Sequence, residues 1–98
     1  MSAESIFYSK IRHYFKTHDT VTALAYYRQK KGKTQQQVAR EVRISARQLQ
    51  NYENTRSSAL GDAKFSVVEK LANAVGVSPT ELVKDGLPVR ISRRTESE

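Results

Sequence analysis

The sequence predicts an all-α domain, and two features of residues 34–54 lead to this prediction. Thr34 and Ser45 are each followed three residues later by a glutamine, which is the spacing of a capping box at a helix start. Behind each start, apolar residues recur at intervals of three or four, as they do on one side of a helix. They are Val38, Ala39 and Val42 in the first helix, and Ala46, Leu49 and Tyr52 in the second. The two helices therefore form a pair joined by a tight turn.

An N-terminal extension, residues 1–18, is predicted to contain one helix over residues 3–16. Its apolar side chains follow helical spacing. They are Phe7, Ile11, Tyr14 and Phe15. This apolar stripe needs a partner, which is either the core of the same chain or a second copy of the protein. The core is narrowly the better expectation of these two. A helix on a membrane surface is a weaker third alternative, because the stripe is short and rich in tyrosine.

The helix before the capped pair is predicted over residues 20–31. Asp19 suits its N-cap, and Gly32 ends it in the usual place for a left-handed residue. Leu24 and Arg28 lie one turn apart on the side that faces the core. Together with the pair, this helix begins a domain predicted to span residues 19–85.

The second half of the chain is predicted to contain two more helices and a tail. Residues 55–62 form a loop, and a helix follows over residues 63–75 with Phe65, Val68 and Leu71 turned inward. A short fifth helix covers residues 79–84. The tail, residues 86–98, starts basic and finishes acidic. Residues 89–91 suit a short strand that could pair across a dimer, and disorder is expected for the last residues.

Composition narrows the class of protein. The 98 residues suit one domain, and a net charge of +7 favours a polyanionic partner, either nucleic acid or an anionic membrane surface. The chain has no cysteine and no apolar run long enough for a membrane span or a signal peptide, so we expect a cytoplasmic protein that does not bind membranes. No phosphate-binding glycine loop, metal-ligand spacing or Ser/His/Asp group is present. We therefore expect no catalysis, no metal and no cofactor.

Several spaced residues carry a resemblance to a known family. They are Gln35, Ala39, Ile44, Ser45, Leu49 and Glu53. Their spacing resembles that of the Cro and lambda-repressor type (XRE-like) helix-turn-helix family, and the likeness extends over residues 24–82. It implies a five-helix lambda-repressor-like core of phage or bacterial origin, with the third helix in the major groove of DNA. The family usually has glycine in the turn, whereas this chain has Arg43, which would carry roughly 1–2 kcal/mol of strain in a left-handed turn.

The second helix of the pair has one side suited to reading DNA. Arg47, Gln50, Asn51 and Asn54 share that side, and no carboxylate lies on it. Arginine can make bidentate contacts to guanine, and glutamine and asparagine can make them to adenine. We expect base contacts from Arg47, Gln48, Gln50 and Asn51, although Gln48 could instead touch the backbone. The expected phosphate contacts are Thr34, Gln35, Asn54 and Arg56.

The resemblance also implies a structural ion pair between Arg28 and Glu53, largely buried. An arginine suits this role because its planar guanidinium can meet a carboxylate with two hydrogen bonds. The pair would tie the first core helix to the helix that reads DNA.

The expected function is that of a sequence-specific DNA-binding transcription regulator. Most simply it is a repressor that binds a palindromic operator as a homodimer. The alternative is a protein-binding module, such as an antitoxin-like protein that uses the same fold. A protein partner would then dock on the N-terminal helix or the tail.

Overall fold

The computed structural model describes residues 20–92. The fold is mostly helical, as predicted, and it also contains two small antiparallel sheets. The helices are α1 (Ala23–Lys30), α2 (Gln35–Val42), α3 (Ala46–Glu53), α4 (Ala59–Asp62), α5 (Phe65–Val75) and a 3₁₀ helix (Pro79–Glu81). The strands are β1 (Thr20–Thr22), β2 (Val83–Lys84), β3 (Leu87–Pro88) and β4 (Arg90–Ser92). The predicted N-terminal helix and its apolar stripe lie outside the described residues, as do Asp19 and the end of the tail.

One hydrophobic core holds the helices together. α2 packs against both α3 and α5, and α1 packs against α5. Leu24, Leu49, Leu71 and Leu82 have no exposed surface and come from four different parts of the chain. The capped pair, α2 and α3, therefore packs against α1, α5 and the segment around Leu82 that follows α5. No helix within residues 20–92 is long and apolar enough to cross a bilayer.

The first core helix begins later than predicted. Residues 20–22 form strand β1, and the N-cap of α1 is Thr22, whose Oγ1 accepts a hydrogen bond from the backbone N–H of Ala25 at 3.3 Å. Threonine and valine favour extended structure because their branched β-carbons restrict the side chain in a helix. The start at residue 20 was therefore wrong.

The strand predicted in the tail pairs within its own chain. Val21 of β1 lies opposite Ile91 of β4, and the N–H of Ala23 continues the ladder to the carbonyl of Val89 at 2.8 Å. The strand that could have paired across a dimer therefore pairs with β1 of the same molecule.

The predicted fifth helix is also different. Only Pro79–Glu81 form a helical turn, and β2 and β3 follow as a hairpin. The two residues between the strands, Asp85 and Gly86, both have positive φ, at 55° and 77°. An Asp-Gly pair with two positive φ angles makes the tight turn that matches the twist of a two-stranded hairpin. The predicted five-helix lambda-repressor-like arrangement is therefore not confirmed.

The predicted loop at residues 55–62 contains α4. Leu60 in this helix is 1% exposed, and Gly61 lies so close to the hairpin that a Cβ there would be 2.3 Å from the carbonyl oxygen of Gly86. The inward position predicted for Phe65 was wrong, because its side chain is 67% exposed. Phe65 is the first residue of α5, and burial in that helix begins at Val68.

Candidate nucleic-acid interface

The turn between α2 and α3 keeps a left-handed backbone although it lacks glycine. Arg43 has φ 66° and ψ 45°, and its N–H donates to the carbonyl of Ala39. The N–H of Ile44 donates to the same carbonyl at 3.0 Å. Both bonds close the end of α2, so the turn retains its shape with Arg43 in a conformation that glycine adopts more easily.

The two predicted caps differ in detail. At the start of α2, Thr34 Oγ1 accepts from the N–H of Gln37 at 3.1 Å and Gln37 Oε1 accepts from the N–H of Thr34 at 2.8 Å, so this capping box is complete. At the start of α3, Ser45 Oγ accepts from the N–H of Gln48 at 3.0 Å. The side chain of Gln48 does not return to Ser45 but donates from Nε2 to the hydroxyl of Tyr52 at 2.8 Å. The second capping box is therefore only half formed.

α3 separates its buried and exposed residues clearly. Leu49, Tyr52 and Glu53 are buried on one side. On the other side Arg47, Gln50 and Asn51 are exposed, and their side chains form no hydrogen bond with any other part of residues 20–92. Because these donors and acceptors have no protein partner there, they are available to a ligand that approaches α3 from solvent.

The residues just after α3 are held in place by a local bond. Asn54 Oδ1 accepts from the N–H of Arg56 at 2.9 Å, which is a turn that asparagine commonly stabilises. The side chain of Arg56 itself is exposed. Asn54 and Arg56 therefore lie together at the end of the exposed side of α3.

Glu53 is the centre of a buried polar network. Its Oε2 lies 2.7 Å from Arg28 Nε, and its Oε1 accepts from Arg28 Nη2 at 3.2 Å and from Gln35 Nε2 at 3.0 Å. The side chains of Arg28 and Glu53 are only 12% and 6% exposed. The remaining nitrogen, Arg28 Nη1, donates to the carbonyl of Lys33 at 2.8 Å. The carboxylate of Glu53 therefore links α3 to α1 through two hydrogen bonds from Arg28, an arrangement that the geometry of arginine favours. It links α3 to α2 through the bond from Gln35.

Gln35 has a role in this network that its place in the sequence did not indicate. Its side-chain amide points inward to Glu53, whereas its backbone N–H lies in the first turn of α2, where N–H groups lack intrahelical acceptors. Both parts of the residue had been expected to contact phosphate. The inward bond commits one side-chain N–H and leaves the backbone group for an external anion.

Positive charge exceeds negative charge along α2, α3 and the residues just after them. Residues 34–56 contain only two carboxylates, and both are in ion pairs, Glu53 with Arg28 and Glu41 with Lys33 at 3.1 Å. Four arginines in the same segment form no ion pair within residues 20–92. They are Arg40, Arg43, Arg47 and Arg56. Residues 34–56 therefore carry more positive than negative charge, which favours a polyanion that approaches α2 and α3.

The model of a family described as a helix-turn-helix domain matches residues 22–85, about two thirds of the chain. The chain belongs to the XRE-like helix-turn-helix DNA-binding family. The match indicates a DNA-binding transcription regulator. A comparison with curated proteins gives no match.

A cleft of about 520 Å³ beside α3 brings several polar residues of the helix-turn-helix domain together. Four of them had been expected to contact DNA. They are Gln35, Gln50, Asn54 and Arg56. The cleft also includes Gln29 and Thr55, which no motif of the sequence indicated. Gln29 is on α1, and its place beside α3 depends on how these helices pack, so no local sequence signal indicates it.

Proposed function

We propose that this helix-turn-helix protein is a sequence-specific transcription regulator, most simply a repressor, that inserts α3 into the major groove of DNA. The observation that carries the proposal is the exposed side of α3, where Arg47, Gln50 and Asn51 have no partner within residues 20–92. These side chains have the donors and acceptors that match guanine and adenine edges. Glu53, the carboxylate of α3, is buried and forms an ion pair with Arg28, so α3 presents no free carboxylate that would repel DNA.

The proposed contacts divide into base edges and phosphates. Arg47, Gln50 and Asn51 read bases, and Gln48 lies at the edge of this surface. Phosphate contacts come from Thr34 and the backbone N–H of Gln35 at the start of α2, where the helix dipole favours an anion. Asn54 and Arg56 follow α3 and complete the proposed phosphate contacts. Such contacts set orientation, and the base contacts supply sequence preference.

The network around Glu53 supports this proposal because reading bases requires a rigid helix. Arg28 and Gln35 fix the end of α3 to α1 and to the start of α2 with three hydrogen bonds. A base-reading side chain is accurate only when its helix is held within a fraction of an ångström. The network therefore sets the angle between α2, whose start contacts phosphate, and α3, which reads the bases.

We further propose that the protein binds a pseudo-palindromic operator as a homodimer. An eight-residue helix such as α3 spans only a few base pairs, which is too short for a unique genomic site. Two copies related by a two-fold axis double the contacts, with half-site centres about 34–36 Å apart or a multiple of that.

The second candidate is a protein-binding module. Phe65 and Leu87 are the large apolar side chains that remain exposed within residues 20–92, at 67% and 60%. A protein partner would use such side chains, although single exposed apolar residues are also common on surfaces.

A mobility-shift selection on randomised duplex DNA separates the two functions. The regulator is expected to enrich an inverted repeat after a few rounds of selection at low salt. No shift at low salt would contradict the regulator and favour the protein-binding module. Protection of one isolated half-site by a monomer would contradict the dimer but retain DNA binding.

A further inference from the structure

Tyr52 holds the side chain of Gln48 in one direction. The hydroxyl of Tyr52 accepts from Gln48 Nε2 at 2.8 Å, and the two residues are one turn apart on α3. Tyr52 is 7% exposed and packs in the core, so its hydroxyl is a fixed point. Gln48 is exposed. The exposed side-chain amide of Gln48 is thus hydrogen-bonded to the hydroxyl of the buried Tyr52 ring.

Gln48 lies where such an attachment affects recognition. On α3 it stands between the buried side, with Leu49 and Tyr52, and the exposed side, with Arg47 and Asn51. A free glutamine loses the freedom of three rotatable bonds when it contacts a base. The bond to Tyr52 restricts those bonds before DNA arrives, so less freedom is lost on binding.

The geometry leaves one defined recognition face on Gln48. A carboxamide has two N–H donors and a carbonyl oxygen with two lone pairs. Tyr52 uses one N–H. The other N–H and Oε1 remain, and when that N–H is the one cis to Oε1, the two form an adjacent donor and acceptor that match N7 and the N6 amino group of adenine.

We propose that Tyr52 is a positioning residue for base recognition and presents Gln48 to an adenine in each half-site. The inference rests on the proposed function, in which α3 reads base edges. Gln48 then contributes sequence preference, in contrast to a phosphate contact, which would need only a single donor and would not distinguish bases.

The test compares Tyr52→Phe with the unchanged protein. Phenylalanine keeps the buried ring and removes only the hydroxyl. The operator is first selected from randomised DNA with the unchanged protein, and affinities are then measured for all four bases at each position. We expect Tyr52→Phe to lose about three- to tenfold of the preference for adenine at one position in each half-site. Affinity for unrelated DNA and preference at the other positions should be unchanged.

Four further variants complete the test. Gln48→Ala should lose the preference at the same position, and adding Tyr52→Phe to it should change nothing more. Gln48→Glu should move the preference from adenine to cytosine, because a carboxylate only accepts hydrogen bonds. Tyr27→Phe is the matched control, since it removes a hydroxyl from a partly buried tyrosine on α1 and should leave all base preferences intact.

The contradicting results are distinct from one another. If Tyr52→Phe keeps the adenine preference that Gln48→Ala loses, Tyr52 does not position Gln48. If Gln48→Ala and Gln48→Glu leave the preference at every position unchanged, Gln48 does not read a base and the proposal is wrong. An unchanged protein that selects no sequence at all would overturn the proposed function itself, and this inference with it.

Discussion

Removing either charge of the Arg28–Glu53 pair should destabilise the fold strongly. Glu53 is 6% exposed and accepts two hydrogen bonds from Arg28 and one from Gln35. Arg28→Met removes both charge-assisted bonds and leaves a buried carboxylate with a single neutral donor. Hydrogen bonds to charged groups contribute about 1.5–3 kcal/mol each. Two of them give roughly 3–6 kcal/mol, in line with the cost of about 3–5 kcal/mol for breaking a buried ion pair.

Removing the other charge, with Glu53→Leu, should lower the free energy of unfolding by a similar amount. Glu53→Leu leaves the guanidinium of Arg28 with the carbonyl of Lys33 as its remaining acceptor, and it leaves Gln35 without its partner. A loss of about 3–5 kcal/mol is a large part of the 5–15 kcal/mol by which a typical domain is stable. The double variant Arg28→Met, Glu53→Leu buries no unpaired charge, so we expect it to recover much of this loss.

Urea unfolding of the four proteins measures this coupling. The free energies of unfolding should show an interaction of at least about 3 kcal/mol between the two positions, because the double variant is expected to cost less than either single variant. Glu41→Leu is the matched control, because Glu41 also has an ion-pair partner but its side chain is 46% exposed. Exposed pairs contribute only about 0–1 kcal/mol. A coupling near zero, or a cost for Glu41→Leu equal to that for Glu53→Leu, would refute this account of the network.

Three more predictions concern the turn, the hairpin contact and the partner. Arg43→Gly should stabilise the domain by up to about 1.6 kcal/mol, because it relieves roughly 1–2 kcal/mol of left-handed strain at an entropy cost of about 0.4–1 kcal/mol for glycine. Gly61→Ala should cost about 1–3 kcal/mol, because its Cβ would lie 2.3 Å from the carbonyl oxygen of Gly86. Thermal melts measure both changes. DNA affinity should fall about 10³–10⁵-fold between 50 and 200 mM salt if a dimer neutralises roughly 6–10 phosphates.

Each of these predictions has its own contradicting result. Arg43→Ala keeps the left-handed strain while it removes the charge, so equal melting temperatures for the alanine and glycine variants would argue against strain. A Gly61→Ala protein with an unchanged melting temperature would mean that α4 and the hairpin separate without cost. A flat salt response in the mobility-shift assay would show that phosphate contacts do not drive binding.

The parts of the fold that could be predicted depend on neighbours in the sequence. Thr34 and Gln37 are three residues apart, and their complete capping box is confirmed. The left-handed turn at Arg43 follows from the spacing of two capped helices. The bond from Gln48 to Tyr52 spans only one turn and could have been foreseen from the same kind of spacing. The Asp85–Gly86 hairpin signal was also present and was missed.

The remaining features depend on contacts between distant residues. β1 pairs with β4 at the other end of the described chain, and three residues such as Thr20–Thr22 carry too little pattern to indicate that pairing. The inward bond of Gln35 depends on where Glu53 lies after α1, α2 and α3 have packed. At the interface, the sequence indicated which side of α3 is exposed, but it could not indicate the cleft that Gln29 shares with Gln50.

The most direct test of the account compares Arg47→Ala with Arg40→Ala on the selected operator and on unrelated DNA. Both variants remove one exposed arginine that has no ion pair within residues 20–92, but Arg47 is on the reading side of α3 and Arg40 is on α2. We predict that Arg47→Ala weakens specific binding by about 1–3 kcal/mol and reduces the ratio of specific to non-specific affinity. Arg40→Ala should leave that ratio unchanged. If both variants lower specific and non-specific binding by the same factor, α3 does not read base edges through Arg47, and the central claim is contradicted.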